Sequence, residues 1–167
     1  MNSDKILIVD DSPENIQLLF AMLQDDYNII FSNSGEKALK LAQEDQPDLI
    51  LLDIVMPKMD GYEVIKKLKN NATTQAIPIV FLTAKTSKED LIKGFSLGCV
   101  DYIIKPFLEE EIKVRLATHL QNRSLITQLE SINENLKRMD DIKSDFLSSV
   151  PAFVEGVSIP SKSYYSF

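Results

Sequence analysis

Five short apolar runs, each followed by an amphipathic stretch, limit what this chain can fold into. The runs are Ile6–Val9, Ile29–Phe31, Leu49–Leu52, Ile77–Leu82 and Tyr102–Ile104. They are continuous rather than alternating, and several are β-branched, so they read as strands buried on both faces. The intervening stretches predict helices at roughly 14–24, 35–45, 60–70, 88–97 and 107–121. Ser12-Pro13 sets a capping hydroxyl before a first-turn proline. Ser87 to Asp90 reads as a capping box with Asp in the place of Glu. Strict alternation of strand and helix implies an α/β fold, a parallel sheet with helices on both faces.

In such a sheet, ligands bind beyond the carboxyl ends of the strands. "DLILLDIVMPKMDG" shows what those ends carry: a buried strand, Leu49–Leu52, runs directly into the carboxylate of Asp53. An unpaired buried carboxylate is costly, so Asp53 needs an exposed strand end or partners. The other strand ends supply candidates. Ile6–Val9 leads into Asp10-Asp11, Ile77–Leu82 into Thr83-Ala84, and Tyr102–Ile104 into Lys105-Pro106. Three carboxylates on one rim repel each other and call for a cation. Mg2+ suits one or two carboxylates together with a phosphoryl oxygen. Lys105 can pair with Asp53 or with a bound anion, and a carboxylate can itself act as nucleophile to form an aspartyl phosphate.

The motifs "ILIVDDSPEN", "DLILLDIVMPKMDGYEV", "IPIVFLTA" and "GCVDYIIKPF" occur in this order. Through them residues 4–121 resemble the receiver domain of two-component response regulators, a flavodoxin-like (βα)5 doubly wound parallel sheet. The resemblance implies that Asp53 is the phosphoacceptor, and that Asp10 and Asp11 hold Mg2+ directly or through water. It implies that Val55 contributes a backbone carbonyl to the metal, and that Thr83 and Lys105 bind the phosphoryl group. Tyr102 becomes the aromatic switch residue that turns inward when Thr83 engages that group, and the Lys105–Pro106 peptide is expected to be cis. Each residue also has a plainer explanation: a helix cap for Asp10, a solvated loop acid for Asp11, a strand end for Asp53. Likewise Thr83 could be a turn hydroxyl, Lys105 a surface charge and Tyr102 core packing. His119, the single histidine, reads as a surface or packing residue with no visible partner. Met56 and Met59 read as packing or loop residues, and Gly61 as the residue permitting a tight turn before the third helix.

Beyond Gln121 the pattern changes. Leu125, Leu129, Ile132, Leu136, Met139, Phe146 and Val150 follow alternating steps of four and three, with Lys143 at the polar seam position. This is a heptad seam, preceded by a stutter after Leu116 and Leu120. No proline or glycine interrupts 107–150, so the last helix of the domain can run on into it. The polar opposite face (Gln128, Asn133, Lys137, Asp141) favours a coiled coil, hence a parallel homodimer through 122–150, over a helix folded back on its own domain. "LESINENLKRMDDIKSDFLSSV" resembles the coiled-coil lead into the dimerisation helix of sensor histidine kinases. Pro151 ends that resemblance: residues 151–167 carry no phosphoacceptor histidine and no ATP-binding segment, so kinase activity does not carry over. The tail reads as a truncation, a frameshift or artificial junction, or else an unrelated natural ending. The expected organisation is a receiver at 1–121, a signalling helix at 122–150 and an irregular tail at 151–167.

A formal net charge of -7 argues against non-specific nucleic-acid or anionic-lipid binding, and no basic helix-turn-helix segment follows the receiver. Cys99 is the single cysteine, so no internal disulfide forms, and it reads as a buried apolar residue. With no signal-peptide pattern and no membrane-length apolar run, a cytoplasmic location is expected. The implied partner is a phosphohistidine donor. Three outputs fit: the amino-terminal part of a receiver-histidine kinase (a hybrid), a stand-alone regulator acting by protein contact, or the receiver of a cyclic-dinucleotide enzyme.

Overall fold

In the computed structural model, residues 3–84 and 87–149 are described. The elements alternate as expected: β1 (Lys5–Val9), α1 (Pro13–Leu23), β2 (Asn28–Ser32), α2 (Gly35–Asp45), β3 (Leu49–Asp53), α3 (Gly61–Lys69), β4 (Ile79–Thr83), α4 (Lys88–Leu97), β5 (Asp101–Ile104) and α5 (Glu109–Ser148). All four strand pairings are parallel and the order is β2-β1-β3-β4-β5. The chain reverses its winding direction between β1 and β3, so the crevice for a ligand opens there.

The pleat explains the continuous apolar runs. Leu7, Val9, Ile50, Leu52 and Phe81 enter one core with Ala38, Val64, Ile65 and Tyr102. Ile6, Ile8, Leu49, Leu51, Val80 and Leu82 enter the other with Leu19, Leu23, Ile112 and Leu116. Successive residues thus feed opposite layers. β2 departs from the expectation of burial on both faces: Asn28 and Phe31 are exposed and only Ser32 is buried. The cause is its position. As an edge strand it pairs with β1 alone.

The local signals act as anticipated. Ser12 Oγ accepts from the Asn15 N–H with Pro13 opening α1. Ser87 Oγ accepts from the Asp90 N–H and donates to Asp90 Oδ2 at 2.6 Å, so the Asp closes the cap through the hydroxyl. Cys99 is buried, and burial pushes its thiol up to about 11.

α5 runs without a break from Glu109 to Ser148, starting two residues later than expected. Packing divides the chain into residues 1–124 and residues from Leu125 onward. In the first unit Ile112, Leu116 and Leu120 are buried. In the second, Leu125, Leu129, Ile132, Leu136, Met139 and Phe146 are all exposed, as are Ile142 and Leu147. Val150 and the tail 151–167 lie outside the described residues. Among the described residues no helix is long and apolar enough to cross a membrane.

Candidate functional site

The register of four neighbouring strands assembles the site. Val9 pairs with Leu52, Asp53 with Leu82, and Thr83 with Ile104, so the last residues of β3 and β4 and the residues just after β1 and β5 reach one rim. Asp10 has 0% exposure and Asp53 4%, whereas Asp11 is exposed. One carboxylate oxygen from each of Asp10, Asp11 and Asp53 lies within 4.8 Å of the others. Lys105 Nζ stands 3.3 Å from Asp53 Oδ2 and 3.6 Å from Asp10 Oδ2. The Lys105–Pro106 peptide is cis, and the Lys105 N–H donates to the Thr83 carbonyl at 2.9 Å.

Asp10 is buried yet satisfied. It accepts from the Ser12 N–H at 2.9 Å and from Asn15 Nδ2 at 3.1 Å. The sequence reading missed Asn15, although "DDSPEN" places it one helical turn beyond the cap. Asp53 accepts from the Val55 N–H at 3.3 Å. Burial and the Asp10 charge raise Asp53 to about 6, against the lowering effect of Lys105 and the Val55 amide. Val55 is 63% exposed and takes no part in the core. Three carboxylates against one ammonium leave a formal surplus of two negative charges. A divalent oxygen-seeking cation would cancel it.

Gly61 does not serve as a turn glycine, contrary to expectation. Its N–H donates to the Ile54 carbonyl at 2.8 Å. A Cβ there would meet the Asp53 carbonyl oxygen at 2.5 Å and Ile54 Cα at 2.8 Å, so glycine is needed for the close approach of α3 to the end of β3. The left-handed residue of that loop is Lys58, at φ 68°.

Tyr102 stands apart from the carboxylates. Its ring packs 5.6 Å from Phe81 and 5.2 Å from Phe95, and its hydroxyl donates toward the Asp90 carbonyl at 2.9 Å, with the Leu91 carbonyl at 3.1 Å. His119 also needs correcting, since it does have a partner: its Nε2 lies 2.9 Å from Asp101 Oδ2. Arg115 Nη1 grips both oxygens of the same carboxylate at 2.9 and 2.8 Å. Burial alone would raise Asp101, but the His119 and Arg115 hydrogen bonds outweigh it and hold the carboxyl below its usual range.

Residues 6–117 match the family model for the response regulator receiver domain. The chain belongs to the response regulator receiver family. This receiver is 50% identical over 118 residues to a probable cyclic di-GMP phosphodiesterase of Vibrio cholerae, a match covering 71% of this chain and 27% of that protein. It is 37% identical over 138 residues to the response regulator PleD of Caulobacter vibrioides, covering 82% of this chain and 30% of PleD. It therefore spans under a third of these two relatives. Among solved structures, the receiver domain of sensor histidine kinase PA1611 of Pseudomonas aeruginosa has a TM-score of 0.67 at 29% identity, covering 71% of this chain and 98% of that one. That structure holds a magnesium ion in its active-site cleft. Receiver domains bind Mg2+ at an acidic site and take phosphoryl groups from histidine kinases or phosphotransfer proteins.

Proposed function

We propose that this receiver accepts a phosphoryl group on Asp53 from a phosphohistidine donor, and passes the change to a dimeric C-terminal helix. The observation that carries the reading is the convergence of Asp10, Asp11 and Asp53 within 4.8 Å, with Lys105 Nζ 3.3 Å from Asp53. Asp10, Asp11, Asp53 and the Val55 backbone carbonyl would hold Mg2+. When bound, that ion neutralises surplus carboxylate charge and developing charge on the phosphoryl oxygens. Asp53, with a pKa of about 6, is mostly ionised at neutral pH and presents an oxygen to the phosphorus. A P–O bond forms to Asp53 as the donor's P–N bond breaks and the imidazole leaves. Asn15 and the Ser12 amide fix the Asp10 carboxylate in place. Lys105 pairs with a phosphoryl oxygen, and the Thr83 hydroxyl holds another. Tyr102 reports that engagement to α4.

The exposed seam of α5 supports a parallel homodimer through 122–150, with Lys143 as a polar register residue. The resemblance of "DDIKSDFLSSV" to a kinase lead favours the amino-terminal part of a receiver-histidine kinase. A second reading, the receiver of a cyclic-dinucleotide enzyme, is favoured by the 50% identity to the probable phosphodiesterase. That match spans 118 residues, the length of the receiver itself, so it bears on the input more than on the output.

The test is intact mass after treatment with acetyl phosphate, with Mg2+ or with EDTA. One added phosphoryl group is expected with Mg2+, and none with EDTA or in Asp53→Asn. An adduct of equal yield in Asp53→Asn would refute the assignment.

A further inference from the structure

Glycine is among the poorest helix formers, yet Gly94 sits buried in the interior of α4. Its helical backbone needs no special conformation, so the reason must be space. A Cβ at this position would overlap the Tyr102 hydroxyl, stand 2.7 Å from Tyr102 Cζ and 3.1 Å from Phe81 Cε2. The slot is therefore shaped to the end of one phenol ring. Within it the Tyr102 hydroxyl lies at hydrogen-bond distance from the Asp90 and Leu91 carbonyls, 2.9 and 3.1 Å away. Each carbonyl has a second lone pair to offer beyond its helical bond. Tyr102 is left 7% exposed.

The sheet register connects this seat to the site. Tyr102 pairs with Phe81, and Thr83 lies two residues further along the same strand, so Phe81 and Thr83 share one face. On the other side of the ring, the first turns of α4 carry the carbonyls facing Tyr102. Strand, ring and helix thus meet through Phe81, Tyr102 and Gly94.

We propose that Gly94 is a positioning residue of the switch: the missing side chain seats the Tyr102 hydroxyl against α4 and so couples the place of that helix to the inward ring. The inference rests on the reading of Tyr102 as the switch residue. It adds that the seat is set by a residue of α4 that touches neither metal nor phosphoryl group. Adding one methyl should expel the ring and uncouple α4 from the site while leaving Asp53 able to react.

The experiment uses the full chain and tetranitromethane nitration, mapped by peptide mass spectrometry, with Tyr27 as the internal reference. Gly94→Ala should raise nitration of Tyr102 about tenfold or more, as a minor outward state becomes the major one. Acetyl phosphate with Mg2+ should still label Gly94→Ala, but the phosphorylation-dependent amide shifts of α4 should be lost. Unchanged Tyr102 nitration in folded Gly94→Ala overturns the proposal, as does a full set of α4 shifts. Should Gly94→Ala fold poorly, the same substitution is made in Tyr102→Leu, which has no ring to collide with. Gly94→Ala should then lower Tm in the parent and not in Tyr102→Leu; equal losses in both overturn the proposal. Absence of any adduct in the unsubstituted chain would refute the site reading, and nitration would still decide the seat.

Discussion

Asp53→Asn should stabilise the metal-free protein, and the gain should depend on pH in a defined sense. In the folded chain the Asp53 carboxyl is raised from 3.8 to about 6, first by burial and then by the Asp10 charge. The folded state therefore binds this proton more tightly than the unfolded state. Below pH 4 both states are protonated and Asp53 brings no penalty. Between about 4 and 6 the unfolded chain releases its proton first, so stability falls as pH rises. Above about 6 the penalty is complete. A shift of about two units at 1.36 kcal/mol each sets an upper value of about 3 kcal/mol. That net shift already contains the lowering by Lys105, which on substitution loses its nearer partner and retains Asp10 at 3.6 Å. The expected gain above neutrality is thus about 1–3 kcal/mol. Urea unfolding of both proteins in EDTA, from pH 4 to 8, measures it directly. The difference should be small at pH 4, rise through about 6 and then level off. Saturating Mg2+ should stabilise the parent more than the variant and narrow the gap. A difference that is flat with pH, or an Asp53→Asn protein less stable at pH 8, would refute the electrostatic reasoning.

Lys58 holds φ 68° without being glycine, so Lys58→Gly should raise stability by about 1 kcal/mol in thermal or urea unfolding. Gly61→Ala should cost about 1–3 kcal/mol, because the added Cβ meets backbone atoms of Asp53 and Ile54 that no rotamer change can move. It should also slow labelling of Asp53, read by intact mass. Asp101→Asn should lose about 1 kcal/mol at neutral pH, allowing for the partial exposure of Arg115. Since the Asp101 carboxyl is held low, that contribution is present above about pH 4 and disappears as pH falls through the folded value, so the two proteins should converge in acid. Leu129→Asp and Leu136→Asp should shift sedimentation toward monomer; identical monomers at high concentration for parent and variants would refute the seam.

The strand runs were legible because β1, β3 and β4 lie inside the sheet and feed both cores with every apolar residue. Ile29–Phe31 carries the same signal, but only the strand order reveals that it lies on an edge. Asp10, Asp53 and Lys105 could be read as a group because a charge ending an apolar run needs a partner, and parallel strands end together. Asn15, the Asp101–Arg115–His119 cluster and the slot at Gly94 could not be read that way. Their meaning lies in contacts between elements: His119 and Asp101 are 18 residues apart, and the contact of Gly94 with Tyr102 joins a helix to a strand. Gly61 was visible as a glycine, but the carbonyl that demands it was not.

The central claim is that Asp53 is the phosphoacceptor, and borohydride trapping tests it most directly. The chain is labelled with acetyl phosphate and Mg2+, reduced at once, digested and sequenced by mass spectrometry. An acyl phosphate is reduced to the alcohol, so homoserine should appear at position 53 and nowhere else. Homoserine at position 10 or 11, or none at position 53 in a chain that carries the phosphoryl mass, would contradict it.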